Sequence, residues 1–217
     1  MDIHIILDID QTLVDSMSLI EYNNYRSNKK IRSPDFIKES MCIWMRPHLK
    51  ELIEFLDKNV KYISIWTNGS FSWLYYVVHT ILSKFISIKR FLLLLSVEYS
   101  IKKSIQNNGI DYIIPIKMID TMLDIVQNNN ISLQNTVLID DNYYNCYYNK
   151  SNTIPIKKYL ATEESIGIRI NDLLFIKKIV NELKKSKNIQ KTLNGVYNGM
   201  SDYNKLFTLV PNSSFGN

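Results

Sequence analysis

The chain has 217 residues, 46% of them hydrophobic and 22% charged, with a formal net charge of +5. That length and balance fit one globular domain with a real core and exclude wholesale disorder. Its two cysteines, Cys42 and Cys146, exclude a disulfide framework and a four-cysteine zinc site, and the scattered positive charge is expected to be a solvated surface.

No basic leader with a cleavage site opens the chain, and the longest purely apolar run, residues 91–95, is far too short to span a bilayer. A soluble intracellular protein of nucleus or cytoplasm, with no membrane partner, is therefore expected. Residues 3–8 are β-branched and apolar, which predicts a strand buried on both faces. Between Asp10 and Arg46 there is room for a flap and short strands. Residues 47–58 place Leu49, Leu52, Ile53 and Leu56 at helical spacing, with Pro47 suited to a first turn. Residues 62–67 read as a second buried strand, and Ser70 opens a helix to about Phe85.

Residues 91–97 predict a third strand, 98–111 a loop or hairpin, and 112–116 a short extended stretch. A helix follows over 118–127, a buried strand over 135–140 and a last short strand over 153–157. The Tyr-rich run 143–148 reads as compositional bias. A helix over 163–185 carries Ile166, Ile170, Leu173, Ile176, Val180 and Leu183 on one stripe. Periodicity fades near residue 187, so 1–186 is expected as the domain and 187–217 as a tail or docking segment. Strands alternating with helices predict a three-layer α/β sandwich about a central parallel sheet.

In such sheets ligands sit beyond the carboxyl ends of the strands. Three predicted strands end there in polar residues: Asp8 and Asp10, then Thr67-Asn68, then Asp140-Asp141. Alternate residues leaving a strand point the same way, so Asp8 and Asp10 can address one centre. Acidic clusters without a basic partner nearby in sequence invite a cation, and hard oxygen donors suit Mg²⁺. Phosphoryl transfer needs an in-line nucleophile, cationic relief of the phosphoryl charge and proton management at the leaving group. Asp8 fits the nucleophile and Asp10 the acid and base. Thr67 and the Asn68 amide can bind a phosphoryl oxygen, and Lys117 can supply a fixed charge, with Lys102 and Lys103 as alternatives. Asp8, the Asp10 carbonyl and Asp141 are the expected metal ligands, and Asp140 would orient them.

The ordered set LDIDQTLV, WTN, Lys117 and LIDD resembles the four motifs of the haloacid dehalogenase superfamily. More narrowly, it is similar to the FCP/SCP-type (NLI-interacting factor-like) phosphatases that act on the C-terminal domain of RNA polymerase II. Gln11, the stretch Met45-Arg46-Pro47-His48, residues 152–156 and Asp172 carry that likeness, which covers about residues 3–183. It departs at Asp15, where the family usually has His, at the TNG of the second motif, and in the longer segment from Lys117 to Asp140.

The resemblance implies a capless haloacid dehalogenase-like fold with a small flap and a Mg²⁺-dependent protein Ser/Thr phosphatase working through an aspartyl-phosphate. It also implies Thr12, Asn68 and Arg46 as phosphate- or substrate-binding residues, with a flap anchor as the alternative for Arg46. An open site suits a phosphorylated protein or peptide, gripped by flap aromatics such as Tyr22, Tyr25, Phe36 or Trp44. Trp66 and Trp73 are expected in the core, and His4, His48 and His79 in structural roles. Two rivals stay open: a nucleic-acid 3′-end phosphatase and a non-catalytic adaptor, the latter opposed by the presence of both Asp8 and Asp10.

Overall fold

The structure, a computed structural model, describes residues 2–28, 31–107, 109–164 and 172–198. Chain order begins with β1 (His4–Leu7), β2 (Val14–Ser18), α1 (Leu19–Asn28), β3 (Phe36–Lys38), β4 (Met41–Met45) and α2 (Leu49–Asn59). It continues with β5 (Tyr62–Trp66), α3 (Phe71–Tyr76), β6 (Phe91–Leu95), β7 (Ile101–Asn107), β8 (Ile110–Ile116) and α4 (Ile119–Val126). After β9 (Thr136–Asp140) come α5 (Tyr143–Tyr148), β10 (Thr153–Pro155), α6 (Ala161–Glu164), α7 (Asp172–Lys185) and α8 (Ile189–Asn198).

The central sheet has the order β10-β9-β1-β5-β6, and every neighbouring pair is parallel. Alternate residues of β1 feed opposite layers. Ile5 and Leu7 join Ile63, Ile65, Val137 and Ile139 in the larger core, which α2, α3, α7 and α8 cover. On the other face Ile6, Trp66 and Leu138 pack against Ile119 and Met122 of α4. This is the expected three-layer α/β architecture. Helix α2 buries Leu49, Leu52, Ile53 and Leu56, the stripe that its 3.6-residue spacing sets.

Strand β1 is also where the winding reverses. The chain runs from β1 to β5 and β6 on one side, then returns to β9 on the other. Such a switch point opens a crevice at the carboxyl ends of the strands. Register sharpens it: Leu7 pairs with both Ile65 and Ile139, so Asp8, Trp66 and Asp140 leave the sheet at one level.

Two appendages decorate this frame. Strands β2, β4 and β3 form an antiparallel flap, closed by α1 over Tyr22, Cys42, Trp44, Tyr159 and Ala161. Tyr22 and Trp44 are therefore core residues of the flap and cannot grip a peptide, which corrects that expectation. Exposed aromatics lie instead at Phe71 and Tyr75 of α3 and at Tyr99. The second appendage is the hairpin β7–β8, seven residues a side, with Gly109 in its turn at φ 76, where a glycine suffers no Cβ clash.

Other expectations are modified. The helix expected from Ser70 to Phe85 becomes α3, a π-helical turn at Val77–Ile81 and a 3₁₀ turn at Leu82–Lys84, a widening that buries Val77, Val78, Ile81 and Leu82 together. The helix expected over 163–185 is α7 in its second half, while Ile166 and Ile170 lie outside the described residues. Helix α8 continues past the expected boundary at 186, and Ile189 and Leu193 enter the main core. Residues 199–217 lie outside the described residues. No helix among the described residues is long and apolar enough to cross a membrane.

Candidate active site

Strand β1 delivers Asp8 into the crevice, held in register by its amide bonding to the Ile139 carbonyl at 3.0 Å. The chain then turns tightly. Gln11 takes a positive φ of 60, and the Ile9 carbonyl accepts from the amides of Thr12, Leu13 and Val14. That turn keeps Asp10 at the mouth while Asp8 is buried.

Lys117, the residue after β8, is fully buried and ion-pairs with Asp8 and, at 2.8 Å, with Asp140. Burial opposes its charge, but the two carboxylates outweigh burial and hold its pKa above the usual lysine range. Asp8 itself is pushed up, chiefly by burial, with Lys117 pulling the other way. Asp140 is raised to about 6 by burial, and Asp141 to about 8 by burial and then by the charges of Asp8 and Asp140. Three carboxylates thus face a single ammonium, and their ligand oxygens lie within 4.8 Å of one another. Carboxylates whose ionisation is opposed by burial and by one another, offering hard oxygen donors, make a fitting seat for a divalent cation. Asp10 enters the expected ligand set only through its main-chain carbonyl.

Thr12, two residues beyond Asp10, donates its hydroxyl to Asp141 at 3.0 Å and accepts the Asp141 amide at 3.2 Å. Its side chain is committed to holding Asp141. Thr67 accepts the Gly69 amide at 2.8 Å, so its proton is free to go to Asp10 Oδ2, at 2.7 Å. Asn68 spends its side chain on the hairpin, donating to the Pro115 carbonyl and accepting from Ser100. The Asn68 side chain therefore fixes the root of the appendage, leaving its main-chain amide for the role expected of it.

Arg46 feels the charge of Asp141 but hydrogen-bonds none of the three clustered carboxylates. Buried at 1% exposure, it donates to the carbonyls of Gln11, Thr12 and Lys157 and to Asp172 at 2.7 Å. Its guanidinium ties the flap to the loop after β10 and to α7, which fits the flap-anchoring alternative to the substrate contact expected from the sequence. Lys102 and Lys103 sit on the hairpin, and Lys103 lies over the Tyr148 ring, so Lys117 alone of the three reaches Asp8. Asp15 is buried in the flap, accepting from the amides of Ser16 and Ala161, and burial raises it.

Several residues escaped the sequence reading. Helix α5 occupies the run read as compositional bias. Asn142 caps it, and Asn145 and Asn149, one turn apart, clamp Lys117: Asn145 accepts the Lys117 amide and donates to Asp140, and Asn149 donates to the Lys117 carbonyl at 2.6 Å. The i, i+4 spacing of those asparagines directly after the acidic pair was the available signal. Trp73, expected in the core, is only partly buried and donates its indole N–H to Asp10 Oδ1 at 2.8 Å.

A family model described as NLI interacting factor-like phosphatase matches residues 3–190. No curated protein sequence matches the chain. Among solved structures, the fission yeast RNA polymerase II CTD phosphatase Fcp1 bound to beryllium fluoride is 16% identical, with a TM-score of 0.45 over 98% of this chain and 58% of that one. A structure of Fcp1 described as an essential RNA polymerase II CTD phosphatase is 16% identical, with a TM-score of 0.46 over 91% and 53%. A Had-superfamily hydrolase from Ehrlichia chaffeensis is 14% identical, with a TM-score of 0.48 over 84% and 98%. The chain thus spans little more than half the length of the two Fcp1 chains.

Proposed function

The chain belongs to the NLI interacting factor-like phosphatases, and from that premise we propose that it is a Mg²⁺-dependent phosphatase that passes the phosphoryl group through Asp8, with a phosphorylated Ser or Thr of a protein as substrate. The observation that carries this reading is the buried meeting of Asp8 with Lys117, Asp140 and Asp141 at the switch point of the sheet, with Asp10 two residues on.

Asp8 attacks phosphorus through a carboxylate oxygen, and the bond to the leaving oxygen breaks in line with it. Asp10 gives that oxygen its proton. In the second half a water attacks the acyl phosphate, Asp10 takes the proton of the water, and inorganic phosphate leaves with Asp8 restored. Lys117, its charge held by Asp140, lowers the cost of bringing a dianion beside a carboxylate. Bound Mg²⁺, held by Asp8, Asp141 and the Asp10 carbonyl, would neutralise charge on the phosphoryl oxygens. Thr67 and the Asn68 amide hold another phosphoryl oxygen. The flap and hairpin leave no separate cap domain among the described residues, which favours a phosphate carried on a macromolecule.

The test is turnover of p-nitrophenyl phosphate, a phosphoserine peptide and a 3′-phosphorylated oligonucleotide, each with Mg²⁺ or EDTA. Metal-dependent turnover preferring the peptide supports the whole reading. Preference for the oligonucleotide sinks the protein substrate, and no turnover by folded, metal-loaded protein sinks the enzyme.

A further inference from the structure

Asp10 is held at both carboxylate oxygens, and the two donors differ in kind. Thr67 gives Oδ2 a hydroxyl that a substrate phosphoryl group can claim. Trp73 gives Oδ1 an indole N–H, a donor that can do nothing else. We propose that Trp73 is a positioning residue for proton transfer: it pins Asp10 by Oδ1 throughout turnover, so that Oδ2 becomes the oxygen that carries the proton once Thr67 turns to the phosphoryl group. The inference rests on the phosphatase reading and adds to it a residue and an atom.

The local sequence is built to bring the indole there. Ser70 caps α3, its hydroxyl accepting the Trp73 amide at 3.3 Å, which fixes Trp73 in the first turn and aims its side chain back toward the strand ends. The ring is stacked near-parallel on Tyr76, centroids 6.1 Å apart, and packs against the main core. Gly69 lets it approach: a Cβ there would lie 2.7 Å from Trp73 Cδ1 and 3.2 Å from Thr67 Oγ1. Gly69 also donates its amide to Thr67, which turns the Thr67 proton onto Asp10. Gly69, Ser70 and Trp73 therefore serve one geometry, the orientation of the Asp10 carboxylate.

The chemistry balances without any further reactant. Oδ2–H delivers its proton to the leaving oxygen as the phosphorus–oxygen bond breaks and the Asp8–phosphorus bond forms. The same oxygen then receives a proton from the water that releases phosphate. A carboxylate free to rotate would divide its time between productive and unproductive orientations, and the loss would fall where the leaving group needs the proton most.

The experiment compares wild type and Trp73→Phe, full chain with Mg²⁺, on p-nitrophenyl phosphate and phenyl phosphate. Nitrophenolate leaves as a stable anion and needs little protonation; phenolate needs the proton. The expected result is a roughly 10- to 100-fold fall in kcat/KM for phenyl phosphate against a fall of no more than about threefold for p-nitrophenyl phosphate. Equal falls on both substrates, or none, overturn the inference while leaving the phosphatase reading standing. Should Trp73→Phe fail to fold, Gly69→Ala, which displaces the indole by its Cβ, decides by the same comparison. No wild-type turnover on either substrate sinks the phosphatase reading, and the inference with it.

Discussion

Lys117 divides its charge between Asp8 and Asp140, both buried, and its removal leaves the two carboxylates without their shared ammonium. Lys117→Met is therefore expected to abolish turnover and to lower stability by about 3–5 kcal/mol, the usual cost of breaking a buried pair from one side. Urea denaturation of the variant checks the second part; an unchanged midpoint would show that the pair is not a stabilising one. Single residues such as Lys117 were legible because their spacing put them after predicted strands. Trp73 was not, because an aromatic at helical spacing reads as core, and only the cap at Ser70 and the missing side chain at Gly69, which lets the ring pack close, direct its N–H to Asp10.

Among the elements, the parallel strands were the easiest to see. A strand buried on both faces has an apolar run with no alternation, and β1, β5 and β9 all show it. Helix α1 was missed because its apolar residues do not gather on one stripe. Helix α5 was missed because its asparagines and tyrosines match the bias of the whole chain, although those asparagines hold Lys117. Asn145→Ala leaves the Lys117 amide without its acceptor in a buried place, so a loss on the order of 2 kcal/mol is expected, together with reduced kcat. Chemical denaturation and steady-state rates on the same preparation measure both.

The sheet carries its own acid sensitivity. His4 of β1 bonds Ser64 Oγ of β5 at 2.8 Å and Thr136 Oγ1 of β9 at 3.3 Å, and burial lowers its pKa from 6.5 to about 4. Between those values the unfolded chain takes up a proton that the folded chain refuses. The contribution of His4 to stability therefore falls as pH drops from about 6.5 to about 4, with a limit on the order of 3 kcal/mol, while the raised carboxyls of Asp140 and Asp141 act in the opposite sense. The stability difference between wild type and His4→Asn should therefore change by that amount across the window, and a difference that does not vary with pH would overturn the assignment to His4.

At the scale of the molecule, Arg46 is the tie between parts. It joins the turn after β1, the loop after β10 and Asp172 of α7, so the flap, the sheet and the outer helices share one buried cation. Arg46→Ala is expected to cost about 1–3 kcal/mol through the carbonyls it leaves without a donor, since Asp172 is partly exposed and can be solvated, and Arg46→Lys to recover little, since an ammonium cannot serve that planar set of acceptors. A variant with full stability and a raised KM would instead restore Arg46 to substrate binding. The overall architecture was legible because strand–helix alternation admits few topologies. For Arg46 the sequence left open a substrate contact or a flap anchor, since it shows a basic residue near the site but not the carbonyls around it.

Asp8 as the covalent carrier is the step on which the whole reaction depends. The most direct measurement is mass spectrometry of protein quenched in acid during turnover of a phosphate monoester with Mg²⁺. One phosphoryl group on the peptide containing Asp8, absent from Asp8→Asn along with all turnover, is the predicted result. Sustained turnover by Asp8→Asn, or a phosphoryl group carried on another residue, would contradict it.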